Sequence, residues 1–481
     1  MKLFDCSKFQ FRIFQYLAAL AVATAYLNKV PYIFNILANL GMFSMGLHYG
    51  WPSLAIPDLT SGKYSFNLTD SEASWIVAVT PLGSIIGDVA AGFTLNTFGR
   101  KTMIWFSSIP LTVSWILIAV ATAPVYLFAA RILAGIIDGF LFTAIPPYLA
   151  EISDPEIRGF LGTTYFVTLV FGMMLSNVML MFISIPTSAY ISASVSLLML
   201  IILPFLPESP YFYVIKKEMS LATSSLQKFR GKGEITEELE RISNGIEEEN
   251  KLGKGTFYEL IFTPHNRNCL ILALAMTALQ QLTGILAIQS YCDILFNETN
   301  DILSANVGNL IYFVIYFVGT SIALFVIDIF GRKPLVLFST SMICVTLLTD
   351  ATFLYIKSST DVDVRGLDYI QIISILIYVA AFSIGLNCVP ILVSSEIFPS
   401  HIKGKAFCLI NVCFSVVSSG VVQFFSWSKG FGLEVPFYTF AVVSLIGTIF
   451  LAVYLPETKG KTLEDVQSRM KNLRGKKGNV V

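Results

Sequence analysis

Runs of about twenty apolar residues, separated by short polar turns, recur along the chain. A helix needs about 20 such residues to cross the hydrocarbon core of a bilayer. The pattern predicts twelve spans, at 31–51, 73–95, 102–122, 125–150, 158–182, 187–206, 267–296, 305–327, 334–356, 369–394, 404–426 and 436–455. Two polar blocks interrupt it, Pro207–Asn266 and Pro456–Val481. The first divides the spans into six plus six, and its charged stretch Ile235–Leu252 predicts short solvated helices lying against the membrane face. The expected architecture is an all-α membrane protein of twelve transmembrane helices in two six-helix halves. Its parts are an N-terminal segment 1–30, a half at 31–206, a helical linker 207–266, a half at 267–455 and a tail 456–481. One run is surplus. Ile13–Leu27 precedes span 1 and reads either as an interfacial helix or as a thirteenth span.

Composition agrees with the pattern. Residues are 55% hydrophobic and 13% charged, where a soluble domain carries about 25% charge. Lys plus Arg and Asp plus Glu are 32 each, so the net charge is zero. Such a chain has no bulk field to recruit nucleic acid, and the partner its surface implies is the lipid bilayer. The charges are nevertheless sorted. Basic residues crowd the even-numbered loops, the linker and the tail, whereas the other side carries only Lys63, Lys357, Arg365 and Lys429 of the 32. By the positive-inside rule the even loops and both termini are cytoplasmic, and a thirteenth span would put Lys2, Lys8 and Arg12 on the wrong side. The two N-x-[ST] sequons, at Asn67 and Asn297, both fall in loops this topology places outside, which marks them as glycosylation candidates. The seven cysteines form no CxxC pair and no metal spacing, so they read as packing residues. Only three histidines are present, at 48, 265 and 401, and no Ser/His/Asp set, metal cluster or phosphate-cradling glycine loop is visible. An enzyme is not expected, nor a cofactor or a metal.

The halves echo one another. Span 2 ends in Gly99-Arg100-Lys101 and span 8 in Gly331-Arg332-Lys333. Span 4 ends in Glu151, with Arg158-Gly159 beyond it, and span 10 ends near Glu396, with Lys403-Gly404 at the same offsets. A parallel repeat of six helices around a central cavity is the layout of an alternating-access transporter. Glu151 can pair with Arg100 or Arg158, and Glu396 with Arg332 or Lys403. Such pairs would hold the inner helix ends together in one state and separate in the other. Each exposed pair is worth only about 0–1 kcal/mol, so several together are needed to bias a two-state equilibrium. The blander alternative is that these charges only set topology.

Ionisable residues inside spans are functional candidates. They are His48, Asp88, Arg131 and Asp138. Asp138 follows Arg131 by two turns on one helical face, so a His48–Arg131–Asp138 group is plausible, with Asp138 balancing Arg131. A structural ion pair is the alternative. Asp293 and Asp350 read as outer-end residues that reach water.

At these motifs the sequence resembles the sugar porter family of the major facilitator superfamily. Further marks are Pro147-Tyr148-Leu149-Ala150-Glu151, Pro207-Glu208-Ser209-Pro210, Gln280-Gln281-Leu282-Thr283-Gly284-Ile285, Glu396-Ile397-Phe398-Pro399 and Pro456-Glu457-Thr458. Pro207–Tyr211 and Asn39–Ser44 look like insect facilitated trehalose transporters. The resemblance implies the major facilitator fold and passive movement of a hexose or trehalose-like sugar, in the plasma membrane, by a protein working as a monomer. It also implies substrate contact by Gln280 and Gln281, whose amides suit a polyol; helix–helix hydrogen bonding is the competing role.

Departures from the family pattern cluster where sugar would bind. Phe166, Leu286, Tyr316 and Ile391 stand at four pocket positions, and most have lost hydrogen-bonding capacity. Tyr291, Tyr316, Asn387 and Asn411 are candidate replacements. His48 stands where proton-coupled relatives carry an acid, which favours uniport over proton-coupled symport. A transport-inactive sensor is a further alternative, disfavoured by the short tail. Most of the stretch Val22–Ala38 has no counterpart in the family pattern and reads as a gene-model insertion.

Overall fold

The computed structural model describes residues 30–62, 64, 66–153, 164–230, 235–251, 255–297, 303–360 and 366–459. The described part is helical, without a strand. Spans 1 to 6 are Val30–Gly50, Asp70–Phe98, Arg100–Ala119, Pro124–Ile152, Thr164–Phe182 and Ile185–Ile202. Spans 8, 9, 11 and 12 are Ala305–Phe330, Arg332–Ser359, Ser400–Ser428 and Glu434–Tyr454. Eleven of the described helices are long and apolar enough to cross a membrane. Span 1 supplies the twelfth long helix, at 21 residues.

Spans 7 and 10 are broken. Span 7 runs as Pro264–Leu282, Ile285–Ser290 and Cys292–Asn297. The first break falls at Gly284, whose φ of +86° is left-handed and whose added Cβ would lie 2.4 Å from the Phe440 ring. Glycine alone suits that backbone. Span 10 runs as Tyr369–Ala381, a π-helical turn at Phe382–Leu386, and Val389–Ile397. Pro390 has no N–H to return to the carbonyl of Leu386, four residues back. Opened backbone at membrane depth needs another donor or a wet cavity, and both breaks border the same cavity.

Span 1 carries a buried polar stripe of Asn35, Asn39, Ser44 and His48, spaced at four or five residues. Its partners are in spans 5 and 6: Asn39 Nδ2 donates to Thr164 Oγ1 at 3.0 Å, and the hydroxyls of Ser44 and Ser196 meet at 3.0 Å. Asn35, inside the stretch read as an insertion, accepts from Asn39 and Thr164. Residues 22–29, like the surplus run Ile13–Leu27, lie outside the described residues.

The halves meet along spans 2 and 11 and along spans 5 and 8. Hydrogen bonds step down the first seam from Ser74–Gln423 through Ser419–Ala78 O and Ser84–Ser415 to Asn411–Asp88. Two faces are conveniently named by the linker. The linker face holds Pro210–Ile215, Met219–Arg230, Thr236–Lys251 and Phe257–Phe262. There Arg230 fastens the end of span 4, donating to the carbonyls of Ile152 at 2.8 Å and Ser153 at 3.2 Å while pairing with Glu238 at 3.0 Å. A cation at a helix C-terminus satisfies carbonyls that have no intrahelical partner.

At the far face, a chain of buried side chains joins the halves. Ser53 Oγ donates to Asn309 Oδ1 at 2.9 Å, Asn309 Nδ2 to Asn177 Oδ1 at 2.9 Å, and Asn177 Nδ2 to the Gly50 carbonyl at 3.2 Å. All three side chains are inaccessible to solvent. The exposed sequon residues Asn67 and Asn297 lie on this face. The expectation that Asp293 and Asp350 reach water is corrected: both are buried, and Asp350 accepts from the Ser374 hydroxyl of the neighbouring span.

Candidate functional site

A cavity with an empty volume of about 1000 Å³ lies between the halves. Phe166, Leu286, Tyr316 and Ile391, the four departures from the family pattern, all line it. So do Gln280, Gln281 and Asn387.

The polar groups form three clusters. In the first, Gln280 Nε2 donates to the carbonyl of Leu386 at 2.8 Å and that of Asn387 at 3.0 Å. It thereby serves the acceptor that Pro390 leaves open. Gln281 donates to Gln280 Oε1 at 3.3 Å and accepts from Ser418 at 3.0 Å. These amides therefore brace the broken helix and face the cavity at once. In the second cluster, Tyr316 donates to Asn387 Oδ1 at 3.2 Å and Asn387 Nδ2 donates to Thr320 at 3.2 Å. In the third, Asp88 Oδ1 accepts from Asn411 Nδ2 at 3.0 Å and from Thr143 at 3.3 Å, while Asp138 Oδ2 accepts from Tyr49 at 2.5 Å. Both carboxylates line the cavity.

Tyr291 is elsewhere. The break in span 7 turns it to the far face, where it stacks on Phe425 at 5.3 Å with Lys429 over its ring at 5.8 Å. Lys429 also reaches Asp70 of the other half at 3.5 Å. The expected His48–Arg131–Asp138 group does not assemble through side chains. Arg131 donates to the His48 carbonyl at 2.7 Å and lies 5.8 Å from the Trp51 ring, and no ion pair within 4 Å joins it to Asp138 among the described residues. The His48 ring stacks on Trp115 at 3.9 Å and stays outside the cavity. Tyr49, one position on, takes the place expected for His48.

On the linker face Arg100 pairs with Glu151 at 3.2 Å and Arg332 with Glu396 at 2.9 Å. Each pair lies within one half. Arg158 lies outside the described residues, and Lys403 begins the second turn of span 11. The repeat extends further than the sequence motifs suggested. Glu208 accepts from the backbone N–H groups of Arg100 and Lys101 at 3.0 Å, and Glu457 from those of Arg332 at 3.1 Å and Lys333 at 3.0 Å. Acids at helix N-termini satisfy open donors and complement the helix dipole. Gly99 and Gly331 enter these turns at φ +92° and +90°. Burial pushes the Glu457 carboxyl up, but the backbone N–H groups of Lys459, Arg332, Lys333 and Thr458 together hold it below its usual range.

Tyr49, Gln289, Thr277 and Ser415 also line the cavity and were missed by the motif reading. Gln289, nine residues after Gln280 on an interrupted helix, carries a signal only once the break at Gly284 is known.

Residues 23–469 match the family model described as sugar (and other) transporter. The chain belongs to that family. Across 462 residues it is 30% identical to the facilitated trehalose transporter Tret1 of Apis mellifera ligustica, covering 92% of this chain and 89% of that protein. The Bombyx mori protein of the same name is 29% identical over 437 residues, covering 90% and 85%. Among solved structures, the chain is similar to the Escherichia coli xylose transporter XylE in a partially occluded inward-open conformation, with a TM-score of 0.74, 22% identity, and coverage of 91% of this chain and 100% of that one. It is similar also to XylE described as a proton:xylose symporter of the major facilitator superfamily, bound to 6-bromo-6-deoxy-D-glucose, at TM-score 0.74 and 23% identity, covering 92% and 100%. These likenesses show the fold. In this sugar (and other) transporter, the cavity between the halves occupies the natural place for a solute, and a multi-pass membrane protein with two six-helix halves is what the twelve spans build.

Proposed function

We propose that the protein is a facilitative transporter of a hexose or trehalose-like sugar, working by alternating access. The observation that carries this reading is the central cavity, walled by both halves and lined by amides and hydroxyls such as Gln280, Gln281, Asn387 and Tyr316. A polyol offers many donors and acceptors, and such a wall can meet them in turn. The trehalose transporters named above support the substrate class. The buried chain Ser53–Asn309–Asn177 closes the far face. Arg100–Glu151 and Arg332–Glu396 stiffen each half at the linker face, with Arg158 and Lys403 as further gate residues. This conformer is therefore read as closed at the far face.

By charge sorting the linker face is cytoplasmic, with both termini on that side, and the protein works as a monomer in the plasma membrane. Asn67 and Asn297 are then extracellular glycosylation sites; glycosidase digestion should shift the wild type and leave a double Asn→Gln variant unmoved. His48 stands outside the cavity with its ring on Trp115, which supports uniport over coupling through that residue. The main test is uptake of labelled glucose and trehalose in transporter-deficient cells. Saturable uptake that equilibrates without accumulating is expected. No uptake of either sugar by protein at the cell surface overturns the sugar assignment, and accumulation driven by a pH gradient overturns uniport.

A further inference from the structure

The cavity wall is uneven in charge. Asp88 and Asp138 are its only ionisable acids, both from the first half, and no Lys, Arg or His lines it among the described residues. Asp88 is 4% exposed and Asp138 2%. Their donors are all neutral: Asn411 and Thr143 for Asp88, Tyr49 for Asp138. Both donors to Asp88 reach Oδ1, and neither reaches Oδ2. The other oxygen of Asp138, Oδ1, is buried without a hydrogen-bond partner.

A buried charge is costly unless it is paired. Among the described residues Arg131 is the cation close to this group. It sits two turns along span 4 from Asp138, spends its hydrogen bonds on the carbonyls of His48 and Ile76, and stays outside the cavity. Two carboxyls therefore face the cavity while the nearby cation does not. A neutral sugar offers hydroxyls to the amides but brings no cation to these carboxyls.

We propose that the cavity selects a sugar-like solute in which one hydroxyl is replaced by a protonated amine, with Asp88 as the partner of the ammonium and Asp138 beside it. This rests on the sugar-transport reading and narrows its substrate class. Gln280, Gln281 and Asn387 then meet the remaining hydroxyls. An ammonium carries three donors and no acceptor, which fits carboxylate oxygens that are short of donors. A charge-assisted hydrogen bond is also about twice as strong as a neutral one.

The probes are D-glucose and D-glucosamine, which differ by a hydroxyl against an ammonium at one carbon. Each is measured as labelled uptake and as a competitor of the other. In the wild type, glucosamine should be taken up with at least about tenfold higher kcat/KM, equivalent to about 1.4 kcal/mol. Asp88→Asn keeps the shape and the contacts with Asn411 and Thr143 while removing the charge. It should erase most of that preference, lowering glucosamine uptake far more than glucose uptake. Asp138→Asn should weaken the preference less, because its charge is opposed by Arg131. Equal or better transport of glucose by the wild type overturns the proposal and leaves sugar transport standing. A preference that survives both substitutions also overturns it. Transport of neither probe overturns the proposal together with the sugar reading.

Discussion

Replacing Asn309 by Ala removes both hydrogen bonds that this residue makes across the half interface, accepting from Ser53 and donating to Asn177 at 2.9 Å each. A buried neutral hydrogen bond contributes about 0.5–1.5 kcal/mol net, so the pair holds the far face shut by about 1–3 kcal/mol. The bonds exist only while the helix Pro52–Thr60 and span 5 touch span 8. The loss therefore falls on one of two transport states, and the equilibrium between them should shift by about 5–150-fold. Hydrogen exchange on the purified protein reads this directly, because amide exchange follows the population of opened states. Exchange around 50–60 and 305–312 should speed up by a factor in that range. The turn held by Glu457, within one half, should keep its rate. If both segments exchange as in the wild type while the variant remains folded, the amide chain is not a latch and the argument fails.

Three further outcomes follow from the linker face. Gly331→Ala puts a Cβ at φ +90° and 2.8 Å from Glu457 Oε2, so it should cost about 1–3 kcal/mol, seen as a lowered Tm in detergent; an unchanged Tm would refute the strain. Glu457 is ionised more readily in the folded protein, so its contribution is present at neutral pH and fades as pH falls through and below the usual carboxylate range. Melting curves of Glu457→Gln should accordingly lie below the wild type at neutral pH and converge on it in acid; a constant gap contradicts the cap. Charge reversal at Glu151 breaks the 3.2 Å pair with Arg100 and should slow uptake several-fold at normal surface abundance, whereas unchanged uptake would separate this pair from the transport cycle.

The spans were legible because a bilayer imposes length and apolarity on every helix separately. The linker-face motifs were legible because the repeat prints them twice, as Gly99-Arg100 and Gly331-Arg332. What could not be read depended on rotation. Tyr291 is a candidate sugar contact by its residue type, but span 7 is broken at the left-handed Gly284 and Tyr291 stacks on Phe425 at the far face. The π-helical turn at Phe382–Leu386 leaves no local pattern, yet it decides what Gln280 binds. Asn177 and Asn309 belong to no motif and lie in apolar runs. Their meaning is a contact across 132 positions of chain, which no hydropathy window spans.

The polar stripe of span 1 bears on how the protein is made. Ser44 waits for Ser196, 152 residues later, and Asn39 for Thr164, 125 residues later. At about 5–20 residues per second, synthesis brings span 6 out roughly 8–30 s after the stripe it completes. For that interval Ser44 lacks the Ser196 hydroxyl and Asn39 the Thr164 hydroxyl, and hydrocarbon is a poor host for polar groups short of a partner. Span 1 is thus made early and completes its polar contacts only when spans 5 and 6 arrive.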